Sequence, residues 1–245
     1  MTTQNLLQDI RRIHWDHGKR YGSPRVHATL QDEGRKVSRK RVEKLMRCND
    51  LHAITKRRVR VVTTDSKHNL PVAPNVLDRN FAALAPNEKW LADITYIPTD
   101  EGWLYLASIL DLYSRKIVGW AMRDHMRTEL PLAALMMALQ QQRPKPGLIH
   151  HSDRGSQYAS GDYQQTLITA GITPSMSRKG NCWDNAPMES FFHTLKTEHV
   201  HHRHYATKED AKRDLFQYIE AYYNRTRIHS AIGYLTPLQM ELRAA

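Results

Sequence analysis

Three acidic residues are the main candidates for chemistry in this sequence. Asp93 lies in KWLADITYIPTD, Asp153 in HHSDRGSQY and Glu189 in NAPMESFF, with 35 residues between the last two. Acids this far apart meet only when a fold brings them together. Their charges then repel, and a hard divalent cation such as Mg²⁺ relieves the repulsion because it prefers carboxylate and water oxygens. Two such ions can stabilise the attacking and leaving oxygens of an in-line phosphoryl displacement.

The local sequence predicts a structural element for each acid. Trp90–Ile97, which contains Asp93, is rich in Ile, Tyr and Trp and is typical of a strand. The short apolar run before Asp153 predicts a strand that leads into a loop. Glu189 lies in a helical pattern. The acids are therefore expected on two strand ends and on a helix that packs across them.

Lys196 is expected to contact DNA beside these acids. It follows Glu189 by seven residues, or two helical turns, so the two share a helix face. Helical ion pairs form at three or four residues, which favours a phosphate contact over a salt bridge. Asp184 or Asn185 is the expected N-cap of this helix. Three loop residues near the acids are further expected DNA contacts: Arg154, Arg178 and Lys179.

Other polar residues have weaker claims to a site. Asp111 lies in an apolar strand pattern, where a structural hydrogen-bonding role is favoured over a fourth metal ligand. His150 and His151 invite a zinc assignment, but no Cys pairing or metalloprotease helix pattern accompanies them. They are expected at a strand end, with orientation of Asp153 as an alternative role.

The basic charge is concentrated towards the N-terminus. The net charge is +11, and residues 1–89 hold 19 Lys and Arg against 9 Asp and Glu, whereas residues 90–245 hold 17 against 16. This excess indicates a module that binds a polyanion, with a merely solvated surface as the alternative. No apolar run long enough for a membrane span is present, and the N-terminus lacks a signal-peptide core. Two isolated cysteines fit a reducing cytoplasm.

Residues 1–54 predict a small helical domain. Apolar periodicity predicts helices over residues 4–15, between Ser23 and Gly34, and over Arg39–Arg47. A helix, a short glycine-containing turn and a basic helix are typical of a helix-turn-helix module, with a plain bundle as the alternative. The expected DNA contacts on the third helix are Arg39, Lys40, Lys44 and Arg47.

Residues 55–89 change character and predict a linker. Prolines interrupt this stretch and no apolar periodicity is sustained. Its basic run, which includes Arg57 and Arg58, either follows DNA phosphates or is simply solvated. Both alternatives stay open from the sequence.

Residues 90–245 predict an α/β domain. Three successive strands with tight connections predict an antiparallel meander, and alternating helices and strands follow it. This order predicts a mixed five-stranded sheet flanked by helices. The predicted strands are Trp90–Ile97, Trp103–Leu112, Ile117–Met122, Leu148–His151 and Ile172–Met176. The predicted helices, besides that of Glu189, are Glu129–Gln142, Tyr158–Ala170 and Thr207–Tyr223.

The set of Asp93, Asp153 and Glu189, with Lys196 after it, resembles the DDE signature of bacterial insertion-sequence transposases and retroviral integrases. HHSDRGSQY, SRKGNCWDNAPMESFF and YYNRTRIHSAIGYLTP are similar to the second-reading-frame (OrfB-type) product of one large insertion-sequence family. The resemblance runs from about Ile10 to the C-terminus. It implies a ribonuclease-H-like catalytic core with the first acid on the first strand, the second after the fourth strand and the third on a later helix.

The resemblance also implies an activity and its components. It implies a polynucleotidyl transferase in which the three acids hold two Mg²⁺ ions, with Mn²⁺ as a substitute. Water first cleaves a phosphodiester at the element end, and the freed 3′-hydroxyl then attacks a second phosphodiester, with no covalent protein–DNA intermediate. The implied partners are element-end and target DNA, further copies of the chain, and an upstream-frame product with a helix-turn-helix and a coiled coil. The implied location is the bacterial cytoplasm, at the nucleoid.

Three alternative functions remain to be weighed. A metal-dependent nuclease on the same fold would cleave DNA without joining it. A DNA-binding regulator would need none of the acids. A two-carboxylate glycosidase would leave the basic N-terminal region without a role. The role of Arg225, Arg227 and His229, which match the tail of the resembled family, does not follow from the residues.

Overall fold

A computed structural model describes residues 2–54, 70–179 and 181–244 of the chain. Their contacts divide them into two compact units. One contains the described residues of Met1–Arg58 together with Ile228–Tyr234, and the other those of Val59–Arg227 together with Leu235–Ala245. The predicted contacts Arg57 and Arg58, with most of the basic run, lie outside the described residues.

The first unit consists mainly of three helices, α1 (Thr3–Asp16), α2 (Ser23–Asp32) and α3 (Arg39–Cys48). Thr2 and Ser38 cap α1 and α3, because their side chains accept hydrogen bonds from backbone N–H groups in the first turn. The three predicted helices are therefore confirmed. Their apolar faces form one core, made by Leu6, Ile10, Ile13, Tyr21, Val26, Leu30, Val42 and Met46.

A short segment from near the C-terminus completes this first unit. Ile228 packs against the core of the three helices. Its backbone N–H donates a 3.0 Å hydrogen bond to the hydroxyl of Tyr21, whose side chain is fully buried. Ser230–Ile232 then forms a single 3₁₀ turn, which ends at Gly233 with φ of 69°. The chain therefore contributes residues from both of its ends to one small core.

The second unit is built on a five-stranded mixed sheet with the strand order β3-β2-β1-β4-β5. The first three strands pair antiparallel, and β4 and β5 extend the sheet with parallel pairing. The predicted meander and the predicted fold class are thus confirmed. The strands are β1 (Lys89–Thr99), β2 (Gly102–Asp111), β3 (Ile117–Arg123), β4 (Ile149–Ser152) and β5 (Thr173–Met176).

Helices cover both faces of this sheet. They are α4 (Glu129–Gln142), α5 (Ser156–Ala159), α6 (Gly161–Thr169), α7 (Ala186–Glu198), α8 (Lys208–Gln217) and α9 (Pro237–Leu242). The single helix predicted over Tyr158–Ala170 is wrong, because Ser160 adopts an extended conformation and separates α5 from α6. The helix predicted over Thr207–Tyr223 changes to a π-helical turn at Tyr218. None of the described helices is long and apolar enough to cross a membrane.

Alternation along β1 sends side chains to two separate cores. Leu91 and Ile97 join one core together with residues of α7 and α8. Trp90 and Ala92 join the other core, on the opposite face, with residues of α4 and α6. The helix that carries Glu189 therefore packs against the face of β1 from which Asp93 projects, since Asp93 shares the alternation of Leu91.

Candidate active site

The register of the parallel strands brings Asp93 and Asp153 together. β4 pairs with β1 through Leu91, which lies opposite His151. Asp93 lies two residues after Leu91, and Asp153 lies two residues after His151. The strand register therefore predicts that the two acids are side by side. β4 has ended by then, and Asp153 lies in the loop beyond it. These two acids are called the carboxylate pair below.

Backbone groups hold both members of the carboxylate pair. The backbone N–H of Ile94 donates a 2.8 Å hydrogen bond to Oδ1 of Asp93. The N–H of Gly155 donates a 2.9 Å bond to Oδ1 of Asp153. A Cβ at Gly155 would lie 3.0 Å from the same oxygen and 2.8 Å from Oε1 of Gln157, so a side chain there would require these neighbours to shift. The glycine of the SDRGS sequence therefore favours the close approach of the loop backbone to Asp153.

The carboxylate pair carries an electrostatic cost. Burial and then the charge of Asp153 raise the pKa of Asp93 well above its ordinary value, and the charge of Glu189 acts in the same direction. The Ile94 N–H and Lys196 oppose this rise without cancelling it. Within the described part of the chain Asp93 forms no salt bridge. A buried acid whose pKa is raised by a neighbouring acid is a frequent feature of functional sites.

Glu189 lies on the first turn of α7, near this pair. The side-chain amide of Asn185, just before α7, donates a 3.2 Å hydrogen bond to the backbone oxygen of Ala92. This bond ties the start of the helix to β1 at the residue before Asp93. Glu189 is exposed as a whole residue, but partial desolvation of its carboxyl still raises its pKa.

The carboxylate pair fits a hard divalent cation, because it offers closely spaced oxygen donors whose mutual repulsion a cation would remove. Glu189 is not drawn into the same cluster. Among the described residues, no three His, Cys, Asp or Glu side chains are grouped closely enough to hold a metal ion. The structure therefore brings two of the three predicted ligands together and leaves the third at the edge.

Lys196 lies on the same face of α7 and packs on β1. Its ammonium lies 4.1 Å from the centre of the Tyr96 ring, within the range of a cation–π contact. Burial lowers the pKa of Lys196, and the charge of Asp93 opposes that effect. Lys196 therefore contributes to the electrostatics of the carboxylate pair, which the sequence did not indicate.

Of the two expected N-caps of α7, Asn185 occupies the cap position and Asp184 does not. The fully buried carboxylate of Asp184 accepts hydrogen bonds from the side chain and backbone N–H of Arg178, from Arg79 and from Asn75. The hydrogen bonds from Arg178 hold the pKa of Asp184 well below its usual range. Asn185 makes no side-chain capping bond. The surroundings of Asp184 were missed because Arg79 and Asn75 lie more than 100 residues away in sequence.

The loop cations predicted to contact DNA have different surroundings. Arg178 is engaged with Asp184 and also lies 3.3 Å from Asp78. Arg154 donates a 2.5 Å hydrogen bond to the backbone oxygen of Ser177. Lys179 is exposed. Two of the three cations therefore help to shape the loops beside the carboxylate pair.

The histidines and Asp111 have partners of their own. The ring of His151 contacts the hydroxyls of Ser175 at 2.8 Å and Ser177 at 3.0 Å. Burial lowers the pKa of His150 to about 3 and that of His151 to about 4, so both are neutral at pH 7. Asp111 accepts hydrogen bonds from Ser114 and from the backbone of Asn87, in agreement with the structural role predicted for it.

In the first unit, α3 presents a basic surface. Val42 and Met46 face the core. The four cations predicted to contact DNA are exposed on the remaining surface of the helix: Arg39, Lys40, Lys44 and Arg47. The structure thus places these charges where a polyanion could reach them.

A tyrosine to which the sequence assigned no role lies beside the carboxylate pair. Tyr158 is 2 % exposed, and its hydroxyl makes no hydrogen bond to any described residue. It lines a small cavity that also includes both acids of the pair. The other lining residues are Ile94, Met126, Gly155 and Gln157. Its position in HHSDRGSQY, five residues after Asp153, was the only sequence signal that could have identified it.

Comparisons with known proteins agree with this architecture. Residues 83–182 and 170–237 match models of an integrase core domain, and residues 3–59 match a model of an HTH-like domain. The chain is 48% identical over 234 residues to the insertion element IS600 uncharacterized 31 kDa protein of Shigella sonnei, covering 96% of this chain and 86% of that protein.

A second relative carries a functional name. The chain is 44% identical over 236 residues to the transposase for insertion sequence element IS904 of Lactococcus lactis subsp. lactis, covering 96% of this chain and 93% of the relative. Among solved structures, the simian T-cell lymphotropic virus intasome in complex with PP2A regulatory subunit B56 gamma contains a similar chain. The TM-score is 0.52 at 14% identity, covering 95% of this chain and 74% of that one. This likeness confirms the fold.

Proposed function

Because this chain belongs to the insertion-sequence transposases that carry an integrase core domain, we propose that Asp93, Asp153 and Glu189 form its catalytic centre for DNA cleavage and strand transfer. The adjacency of Asp93 and Asp153, with the raised pKa of Asp93, carries this assignment. Asp184, by contrast, forms ion pairs with two arginines that balance its charge, so it is not a candidate metal ligand.

The proposed reaction exchanges one phosphodiester for another. In the first step water attacks the phosphorus at the element end and displaces the 3′-oxygen, which leaves as a 3′-hydroxyl. In the second step that hydroxyl attacks a target phosphorus and displaces the target 3′-oxygen. In this second step one phosphodiester forms as one breaks, whereas the first step is a hydrolysis that leaves a 5′-phosphate on the flanking strand. The acids are not nucleophiles, so no covalent protein–DNA intermediate forms.

The three acids would hold Mg²⁺, and the proposed complement is two ions with Mn²⁺ as a substitute. When bound, the cations would stabilise the charge that develops on the transferring phosphoryl group and favour ionisation of the attacking hydroxyl. The residues of the chain orient this centre. The Gly155 N–H holds Asp153, the Ile94 N–H holds Asp93, and the amide of Asn185 ties the helix of Glu189 to β1.

Lys196 would hold the DNA strand beside this centre. Lys196 is half-buried and its ammonium already lies against the ring of Tyr96, so less side-chain freedom is lost when the ammonium meets a phosphate. Lys179, Arg154 and Arg178 would contribute further phosphate contacts from the neighbouring loops.

The first unit would bind element-end DNA through α3, as the second helix of a helix-turn-helix does. Contacts with phosphates release counterions, so each lost contact changes the salt dependence of binding. Replacing Lys40 or Lys44 by Ala should lower the slope of log affinity against log salt by about one unit. The basic run that includes Arg57 and Arg58 would add further phosphate contacts.

The proposed assembly contains several chains on DNA in the bacterial cytoplasm, at the nucleoid. Element ends and target DNA must be held together for strand transfer, which favours an oligomer. The upstream-frame product, with its helix-turn-helix and coiled coil, is the proposed protein partner. An assay of the chain with and without that product tests this part of the proposal.

Strand transfer on pre-cut ends tests the function itself. A labelled duplex that ends in the terminal sequence of the element, with a free 3′-hydroxyl, is incubated with target plasmid and Mg²⁺. Joined products are expected from the wild-type chain and not from Asp93→Asn, whereas Asp162→Asn, an exposed acid on α6, should behave as wild type. Hydrolysis without joining would indicate a nuclease. Joining by Asp93→Asn would refute the catalytic assignment.

A further inference from the structure

Tyr158 stands out among the polar groups near the carboxylate pair. Its hydroxyl is buried and makes no hydrogen bond within the described chain. Leaving a buried hydroxyl without a partner costs free energy that most native structures avoid. Nearby Tyr163 is buried to the same degree, but its hydroxyl contacts Nε2 of His150 at 3.0 Å. The two tyrosines are thus similar in burial and differ in the hydrogen bond of the hydroxyl.

The surroundings of Tyr158 indicate what its hydroxyl would bind. The residue lines the same cavity as Asp93 and Asp153. The cavity measures about 10 Å³, close to the smallest volume that accepts one water molecule. The charges of both acids also act on the hydroxyl, since after burial and Tyr163 they help to raise the pKa of Tyr158 well above its ordinary value. A tyrosine held protonated in this way is a hydrogen-bond donor.

We propose that the Tyr158 hydroxyl is a positioning donor for the carboxylate pair, holding the one water that the cavity accepts against the oxygens of Asp93 and Asp153. This inference rests on the proposed function, in which the pair holds a divalent cation. A carboxylate oxygen that binds a cation keeps a second lone pair for a hydrogen bond. Such outer hydrogen bonds fix the orientation of the ligands, and their loss lowers metal affinity by roughly 10-fold to 100-fold.

Tyr158→Phe tests this role, because it removes one oxygen and keeps the ring that packs against Tyr163. Mg²⁺ binding is measured on the whole chain by calorimetric titration and by the rise of the melting temperature with Mg²⁺. We expect the Mg²⁺ dissociation constant to increase by at least roughly 10-fold. Without Mg²⁺, the melting temperature should not fall, since the variant loses a hydroxyl that has no protein partner.

Tyr163→Phe is the matched control. It should lower the melting temperature, because it breaks the bond to His150, and leave the Mg²⁺ dissociation constant unchanged. Unchanged Mg²⁺ affinity in Tyr158→Phe would overturn the positioning role, as would a loss of stability without Mg²⁺ as large as that of Tyr163→Phe. A different result would contradict the proposed function itself: equal Mg²⁺ affinity of the wild type and of Asp93→Asn.

Discussion

Asp184 and the carboxylate pair lie in the same unit, and their surroundings are opposite. Asp184 is buried under hydrogen bonds from Arg178, Arg79 and Asn75, and Arg178 holds its pKa low. In the pair, burial and the neighbouring acid raise the pKa of Asp93. The first carboxylate is fully satisfied within the protein. The charge of Asp93 would be stabilised by a bound cation, and this difference separates a structural acid from a metal ligand.

The largest expected effect of this difference is on activity. Asp93→Asn, Asp153→Asn and Glu189→Gln should each lower strand transfer by roughly 1,000-fold or more, because the charge stabilisation of a metal site amounts to several kcal/mol. Asp184→Asn should retain measurable strand transfer at a temperature where it is folded. Rates are measured on pre-cut ends at saturating Mg²⁺. The comparison breaks down if Asp184→Asn is as inactive as the other three while still folded.

The free energy of unfolding should show the reverse order, with the larger loss in Asp184→Asn than in the substitutions of the carboxylate pair. Asp184→Asn removes the charge that Arg178 and Arg79 surround, and we expect it to lower the free energy of unfolding by about 2 to 3 kcal/mol, since hydrogen bonds to charged groups contribute about 1.5 to 3 kcal/mol. Both arginines are partly exposed and can turn to water, which limits the loss. Urea unfolding in EDTA measures it. A change below about 0.5 kcal/mol would show that Asp184 is not a structural acid.

Asp93→Asn should raise the free energy of unfolding of the metal-free protein at pH 7, because it removes a buried carboxyl whose ionisation the folded state disfavours. The folded-state pKa of Asp93 is raised, so the cost of ionising it is absent below the unfolded-state pKa, grows as pH rises from the unfolded-state to the folded-state pKa, and is constant above that. The gain should therefore vanish towards pH 4. Unfolding of both proteins in EDTA at several pH values tests this. A stability gain that persists at pH 4 would contradict the electrostatic cause.

These contrasts were only partly predictable from sequence. The strand around Asp93 and the helix of Glu189 followed from local patterns, because alternation and helical periodicity depend on neighbouring residues. The surroundings of Asp184 did not, since Arg79 comes from a distant part of the chain. The packing of Ile228 against Tyr21 in the first unit was missed for the same reason. The lack of a hydrogen bond at the Tyr158 hydroxyl could not be predicted from sequence, because it depends on the partners of every neighbouring polar group.

Lys196 should give the smallest effects, because it lies beside the pair without neutralising it. Lys196→Ala should slow strand transfer about 10-fold and change the free energy of unfolding by no more than about 0.5 kcal/mol. Lys196→Arg should keep much of the activity, since a cation over Tyr96 and a phosphate contact need charge more than shape. Lys196→Glu should be the slowest, because it repels both phosphate and Asp93. Rates are compared at two salt concentrations. Wild-type rates for all three variants would show that Lys196 has no role in strand transfer.

Exchange of a ligand atom tests most directly whether the carboxylate pair holds a metal. Asp153→Cys replaces a hard oxygen by a softer sulfur, which suits Mg²⁺ poorly and is better tolerated by Mn²⁺. The measurement is the ratio of strand-transfer rates in Mn²⁺ and Mg²⁺, with Asp162→Cys as the control for a new surface thiol. We predict that the ratio rises at least about 10-fold over wild type in Asp153→Cys and is unchanged in the control. An unchanged ratio in Asp153→Cys would contradict the assignment of Asp153 as a metal ligand.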